Sequence, residues 1–269
     1  MAKERILFIN QEIAPYITNS PAASLGKFLP VKMQENGFEV RTFMPKFGAV
    51  NERRNQLHEV IRLSGININI NDNDHPLVIK VASLQPSRIQ VYFIDNDDYF
   101  QKLDSDIDIS GLNRVDNDER AIFFARGTME TAKKLRWDPK FIHISGWIAA
   151  LLPLYIKKLY NDDASFKNSK IIYAIQSSKG MAPLDPKIFA KLKIEGVSQR
   201  DLKKYSAESL DNNLLHKIGV DFSHAVIIND PEIDPELLDY VKASEKPVLM
   251  AQDMEQDVNK YLEFYNSLL

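Results

Sequence analysis

Arg5-Ile-Leu-Phe-Ile-Asn10, Ser20-Pro21, Gly37 and Glu39-Val-Arg-Thr-Phe-Met44 set the architecture of the chain. The first run is short, apolar and bounded by polar residues, which reads as a buried parallel strand. Ser20 is a good N-cap and Pro21 suits the first helical position. Leu25, Phe28, Leu29 and Met33 then carry a helix to about Asn36, with Pro30 predicting a kink or break. Gly37 supplies the stop and Glu39 to Met44 the second strand. Strand, helix and strand make a βαβ unit, which requires a right-handed crossover and a parallel sheet.

Outward from this unit the pattern changes and then returns. Val60 to Ile70, Val78 to Leu84 and Ile89 to Asp95 are β-rich, with Asn71 to Asp74 and Gln85 to Ser87 as turns. They predict an antiparallel insertion over about 60–95 whose last two runs form a hairpin. Asp95 to Asn113 is acidic and loop-like. Alternation resumes with a helix over Asn117 to Arg136 and a strand over Phe141 to Ile144. A helix over Trp147 to Tyr160 follows, bent if Pro153 lies inside it, and then a strand over Lys170 to Ala174. Residues 176–208 are mixed and polar. Ser209 to Ile218 reads as a helix, Ala225 to Ile228 as a strand and Pro235 to Ala243 as a helix. A closing strand and helix occupy about 247–268. The expectation is one α/β domain over 1–269: a Rossmann-like, doubly wound, mostly parallel sheet with an antiparallel hairpin insertion. Its final helix, ending at Leu269, reads as the close of a domain.

Composition narrows function. The 269 residues carry 34 Lys+Arg against 37 Asp+Glu, a net charge of −3, which disfavours electrostatic binding to nucleic acid or anionic membrane. With no cysteine there are no disulfides, thiolate metal sites or cysteine nucleophile. The apolar run Ile6 to Ile9 is too short for a signal-peptide core, and charged or polar residues interrupt every later run. A cytoplasmic protein is the expectation.

In a doubly wound sheet, ligands sit beyond the carboxyl ends of the strands. The loop from Asn10 to Ser20 has no glycine, so it is not a G-x-G-x-x-G dinucleotide loop. The helix start at Ser20 either holds an anion through its dipole and free N–H groups or is an N-cap only. Asp116-Asn117-Asp118-Glu119-Arg120 offers two readings. Asp116 and Glu119 fit a capping box, while carboxylates and amides at a helix start also suit sugar hydroxyls, since each can engage two of them. His143-Ile-Ser-Gly-Trp147, at a strand end, is either part of a carbohydrate pocket or a half-buried histidine beside a core tryptophan. His58, His75, His216 and His224 show no metal-ligand spacing. The acidic run Asp104 to Asp108 lacks the glycine and final glutamate of a calcium loop and reads as a solvated surface loop.

Several of these motifs, in this order, resemble bacterial glycogen and starch synthases (glycosyltransferase family 5). They are Arg5-Ile-Leu-Phe-Ile-Asn-Gln-Glu-Ile-Ala-Pro-Tyr, Leu25-Gly-Lys-Phe-Leu-Pro, and Gly37-Phe-Glu-Val-Arg-Thr-Phe-Met-Pro-Lys-Phe-Gly. Asp116-Asn117-Asp-Glu-Arg120 is similar to the family's D-N-x-x-R-F, and Phe141-Ile-His143-Ile-Ser-Gly-Trp147 to its H-x-H-D-W. Leu215-His-Lys-Ile-Gly-Val-Asp-Phe-Ser-His-Ala-Val extends the likeness to roughly 230 residues. The resemblance implies the N-terminal half of a GT-B fold and a retaining glucosyl transfer from ADP-glucose to an α-1,4-glucan, with no metal or other cofactor. It implies α-glucan and ADP-glucose as ligands, with Asp116, Asn117, Arg120, His143 and Trp147 as substrate-binding residues. It covers only the first of the family's two domains, so a second protein supplying the other half is a further implied partner.

The chain departs from the family pattern where the nucleotide sugar is concerned. The K-T-G-G-L loop is replaced by Ile17-Thr18-Asn19-Ser20-Pro21-Ala22, without the lysine or the glycines. Ser145 and Gly146 stand for the second His and the Asp of H-x-H-D-W, Gln176-Ser177 for H-N, and Ile228-Asn-Asp-Pro231 for T-V-S-P. Removing a cation from a diphosphate clamp costs on the order of 10²-fold or more in rate. A noncatalytic relative that binds glucan or a partner is therefore the alternative expectation.

Overall fold

The computed structural model describes residues 3–101, 109–194, 196–251 and 257–269. The opening unit forms as its sequence predicts. Strand β1 (Arg5–Asn10) leads to helix α1 (Pro21–Glu35), capped by the Ser20 side chain, which accepts from the Ala23 N–H. Strand β2 (Glu39–Pro45) then pairs in parallel with β1. Pro30 is accommodated inside α1, and Gly37 takes φ +94° after it, a conformation only glycine adopts freely.

The insertion follows: β3 (His58–Glu59), β4 (Ile66–Ile70), β5 (Asn73–Leu84) and β6 (Ile89–Asp95). Of the run predicted over 60–70, only Ile66–Ile70 is strand; Val60 to Leu63 makes a turn closed by the Leu63 N–H on the Val60 carbonyl, 2.9 Å. Strands β5 and β6 form the predicted hairpin.

Helix α2 (Asn117–Lys134) and strand β7 (Phe141–Ser145) restore the alternation. The helix predicted over 147–160 divides into a 3₁₀ turn at Trp147–Ala149 and α3 (Leu152–Leu159), with Pro153 in its first turn, where a missing N–H costs nothing. Then come β8 (Lys170–Ile175), the short helices α4 (Ile188–Lys191) and α5 (Gln199–Leu202), and α6 (Asn212–Phe222). The chain closes with β9 (Ala225–Ile228), α7 (Pro235–Ala243), β10 (Val248–Met250) and α8 (Val258–Ser267). The acidic run 104–108 and the predicted first residue of the closing helix, Gln256, lie outside the described residues.

The sheet order is β10-β9-β8-β7-β1-β2-β6-β5-β3, with β4 paired to β5. Every neighbour from β10 to β6 is parallel, and the β3–β6 insertion is antiparallel. Helices α1 and α8 pack together, while α2, α3, α6 and α7 form a separate contiguous layer. Right-handed crossovers place these groups on opposite faces, because the chain reverses direction at β1. Burial on both faces explains the near-continuous apolar runs of β1, β7, β8 and β9. Among the described residues no helix is long and apolar enough to cross a membrane.

Candidate active-site cleft

The switch point lies between β1 and β7, and a cleft of about 420 Å³ opens at the carboxyl ends of β1, β8 and β9. Gln11 and Glu12 line it from the loop after β1, with Ser20 to Ala22 at the start of α1. Gln176, Ser177 and Lys179 follow β8, and Asn229 to Glu232 follow β9. Ser110 and Leu112 form the wall nearest α2.

The loop after β1 is lashed to α1. The Ala14 N–H donates to the Ala23 carbonyl, and a Cβ on Gly26 would meet the Glu12 carbonyl oxygen at 2.1 Å. This glycine permits a close backbone approach, but no glycine brings backbone N–H groups toward the cleft. The anion reading of the Ser20 helix start weakens for the same reason. Pro21 has no N–H, the Ser20 hydroxyl takes that of Ala23, and the Ser20 carbonyl takes that of Ser24. Only the Ala22 N–H of the first turn is left to offer.

Several cleft groups are buried and lack a protein partner among the described residues: Gln11 Oε1, Glu12 Oε2 and Asn229 Oδ1, with Asn10 Nδ2 just beneath. Their other atoms are held. Gln11 Nε2 donates to Glu12 Oε1 at 3.3 Å, and Asn229 Nδ2 donates to the Tyr261 hydroxyl at 3.0 Å. Gln176 Nε2 donates to Ser145 Oγ at 2.7 Å. The result is a set of held amide and carboxylate groups on cleft-lining residues, with buried hydrogen-bonding capacity that no protein group among the described residues meets, chemistry suited to hydroxyl groups. The charge is acidic: among the described lining residues Glu12, Asp230 and Glu232 outnumber Lys179, whose ammonium lies 3.2 Å from Glu232.

Behind the β8 end a second hollow of about 300 Å³ holds an unpredicted relay. Ser178 Oγ lies 2.9 Å from His216 Nε2, and His216 Nδ1 lies 2.7 Å from the Tyr173 hydroxyl. Burial pushes His216 down to about 4, so it is neutral at pH 7. Ser178 accepts from Asn212 Nδ2 at 3.0 Å and Tyr173 faces the Gly146 carbonyl at 3.4 Å. Every member is satisfied when His216 carries its proton on Nδ1. His216 lies 43 residues after Tyr173 and 38 after Ser178, so no local spacing signals the relay.

None of the five sequence-predicted site residues lines the 420 Å³ cleft. Three of them come together beneath its wall. Arg120 is buried and donates to the carbonyls of Tyr99 (2.8 Å), Gly111 (2.9 Å) and Ser110 (2.7 Å) and to Asn117 Oδ1 (2.7 Å). Asn117 Nδ2 donates to the Leu112 carbonyl at 2.9 Å. Trp147 is fully buried with the Arg120 guanidinium 5.7 Å from its ring centroid. Asn117 and Arg120 thus pin Ser110 to Leu112 from below. Asp116 stands apart at the helix start. The predicted capping box does not form there: the Asp116 side chain makes no cap bond and instead accepts from Arg114 at 2.6 and 2.8 Å. A two-residue separation lets the guanidinium fork outcompete the N–H groups of the first turn. His143 is not half-buried but 1% exposed, and its Nδ1 meets the Tyr265 hydroxyl of α8 at 2.5 Å. Burial pushes its pKa down to about 3.

The family model for the starch synthase catalytic domain matches residues 5–249. The chain is 36% identical over 195 residues to the glycogen synthase of Chlorobium limicola, covering 72% of this chain and 40% of that protein. It is 37% identical over 203 residues to the glycogen synthase of Chlorobaculum tepidum, covering 71% and 41%. The chain thus spans about 40% of the length of these relatives. The catalytic domain of starch synthase IV from Arabidopsis thaliana, solved bound to ADP and acarbose, superposes with a TM-score of 0.71 at 15% identity. That match covers 93% of this chain and 52% of the plant chain. The architecture corresponds to the N-terminal half of a GT-B fold, and the chain belongs to the starch synthase catalytic domain family.

Proposed function

We propose that this chain acts in α-glucan metabolism as the glucan-binding half of a synthase-type glucosyltransferase site. Residues 1–269 are read as one N-terminal-type domain, working in the cytoplasm. The observation that carries this reading is the cleft's chemistry: fixed, buried amide and carboxylate groups of Gln11, Glu12 and Asn229 with unmet hydrogen-bonding capacity. Such groups match the hydroxyls of a neutral sugar chain. Asp116 would meet glucan at the rim, while Asn117, Arg120 and Trp147 hold the cleft wall and His143 supports the sheet beneath it. Transfer from ADP-glucose would need cations for the diphosphate, and these would come from a second domain or a second protein.

A noncatalytic glucan- or partner-binding relative is the second reading. The acidic lining and the occupied N–H groups at the start of α1 favour it, since both disfavour a bound diphosphate. Glycogen embedded in a native gel should retard the chain, and free migration would overturn the glucan assignment. ADP release from ADP-glucose and glycogen, measured for the chain alone and with a complementary C-terminal domain, separates the two readings. Release only in the mixture supports the half-site, and no release in either supports the binding module.

A further inference from the structure

At the opposite edge of the sheet, beneath the amino ends of β8 and β9, Lys157 and His224 meet in a contact whose protonation is dictated by the backbone. The Ile171 N–H donates to His224 Nδ1 at 2.8 Å. A backbone amide can only donate, so Nδ1 must be the bare, accepting nitrogen. A neutral imidazole with a bare Nδ1 carries its proton on Nε2. Nε2 lies 2.7 Å from Lys157 Nζ. For that contact to be a hydrogen bond, Nζ must accept, which an ammonium cannot do and a free amine can.

The surroundings act in the same direction. Lys170 at the start of β8 and Lys246 before β10 are the charged groups that face this pair, and both are cations. The Lys246 ammonium is anchored on the carbonyls of Asp221 (2.9 Å) and Ser223 (2.5 Å). On α3 itself, Lys158 turns away to pair with Asp201 at 2.5 Å. Burial and Lys170 lower the Lys157 pKa, while burial, with Lys170 and Lys246 adding to it, pushes His224 down to about 4. Lys157 remains partly exposed, so a reagent can reach it.

We propose that Lys157 is a nucleophilic amine and a site of acylation by small anionic acyl donors, of which acyl phosphates are the matching class. Its Nζ lone pair attacks the acyl carbon and forms the amide bond. The carbon–oxygen bond to phosphate breaks, and the displaced amine proton leaves on the phosphate. Lys170 and Lys246 draw the anionic donor to the amine, and the His224 Nε2–H, whose acceptor is an amine and not an ammonium, releases its hydrogen bond as the lone pair turns to the acyl carbon.

The test is acetylation of the intact chain with acetyl phosphate at pH 6–11, read by peptide mass spectrometry with fragmentation to separate Lys157 from Lys158. Each unit by which an amine pKa falls below the usual value of about 10.4 raises the reactive fraction at pH 7 about tenfold. Lys157 should therefore label measurably faster at pH 7 than Lys158 or the exposed Lys260, and its rate should level off at a lower pH. Equal rates, or a Lys157 rate that climbs through pH 10 with the others, would overturn the proposal. Repeating the reaction with uncharged acetic anhydride tests the donor class. The Lys157 preference should shrink but persist, and a preference unchanged between reagents would remove the anionic-donor assignment. In urea the preference should vanish for both reagents. Its persistence there would show that the fold is not its cause.

Discussion

The His143 imidazole on β7 and the Tyr265 hydroxyl on α8 share a 2.5 Å hydrogen bond inside the fold, with their rings nearly parallel at an interplanar angle of 5°. This bond ties the closing helix to the centre of the sheet, 122 residues earlier in the chain. Burial raises Tyr265 and lowers His143, so both are neutral across the physiological range. Tyr265→Phe keeps the ring and removes the oxygen, leaving Nδ1 without a partner. The expected loss is about 1–3 kcal/mol of stability, read as a lower urea midpoint at unchanged slope. An unchanged midpoint would mean that apolar packing and the Tyr261–Asn229 bond hold α8 without it.

Acid should weaken the fold through its buried histidines. His143 and His216 sit at about 3 and about 4 in the fold, against about 6.5 when unfolded. Below pH 6.5 the unfolded chain binds more protons than the native one, so stability falls as the solution is acidified toward those values. Each contributes up to about 1.4 kcal/mol per pH unit in that window and nothing above it. Urea titrations at pH 7, 6, 5 and 4.5 should show the decline. His216→Gln should make it shallower, and an equally steep decline in that variant would remove His216 from the account.

Asp116 and Arg120 should separate binding from stability. The Asp116–Arg114 pair is partly exposed, so Asp116→Ala should cost less than about 1 kcal/mol while reducing retardation by glycogen. Arg120→Ala strips the donor from the carbonyls of Tyr99, Ser110 and Gly111 and from Asn117. It should cost on the order of 4 kcal/mol and open the 110–112 wall to protease. If Asp116→Ala lost as much stability as Arg120→Ala, its role would be structural.

Gly146 and Gln11 form a coupled pair at the floor of the cleft. Gly146 has φ +90°, and a Cβ there would come within 2.5 Å of Gln11 Oε1 and 2.8 Å of its Cβ. Gly146→Ala should cost about 1–3 kcal/mol from backbone strain, plus the overlap. Adding Gln11→Ala should relieve the overlap with Oε1 and leave the strain and the Cβ contact, giving a coupling of about 0.5–3 kcal/mol in a double-mutant cycle. Simple additivity would show that the side chain moves aside freely.

What could be read in advance follows the range of the forces involved. The Ser20 cap, the Gly37 stop, the β5–β6 hairpin and the bounds of β6, β9 and α7 are local, set by neighbours within one turn or one pleat. The capping box at Asp116 failed because Arg114 competes for the same carboxylate, a choice that pattern matching does not weigh. His143 could be identified as a motif residue but not as the anchor of a helix 122 residues away.

The sequence by itself therefore determined the α/β alternation, the parallel sheet, the family likeness and the missing lysine and glycines of the loop after β1, since each depends on residue order alone. Only the tertiary structure decided that Gln11, Glu12, Gln176 and Asn229 share one acidic cleft, that Ser178, His216 and Tyr173 form one relay, and that Lys157 meets His224. Those groups lie on separate strands and loops. Their proximity comes from the strand order of the sheet, and their protonation from burial and hydrogen bonding that no local run of residues encodes.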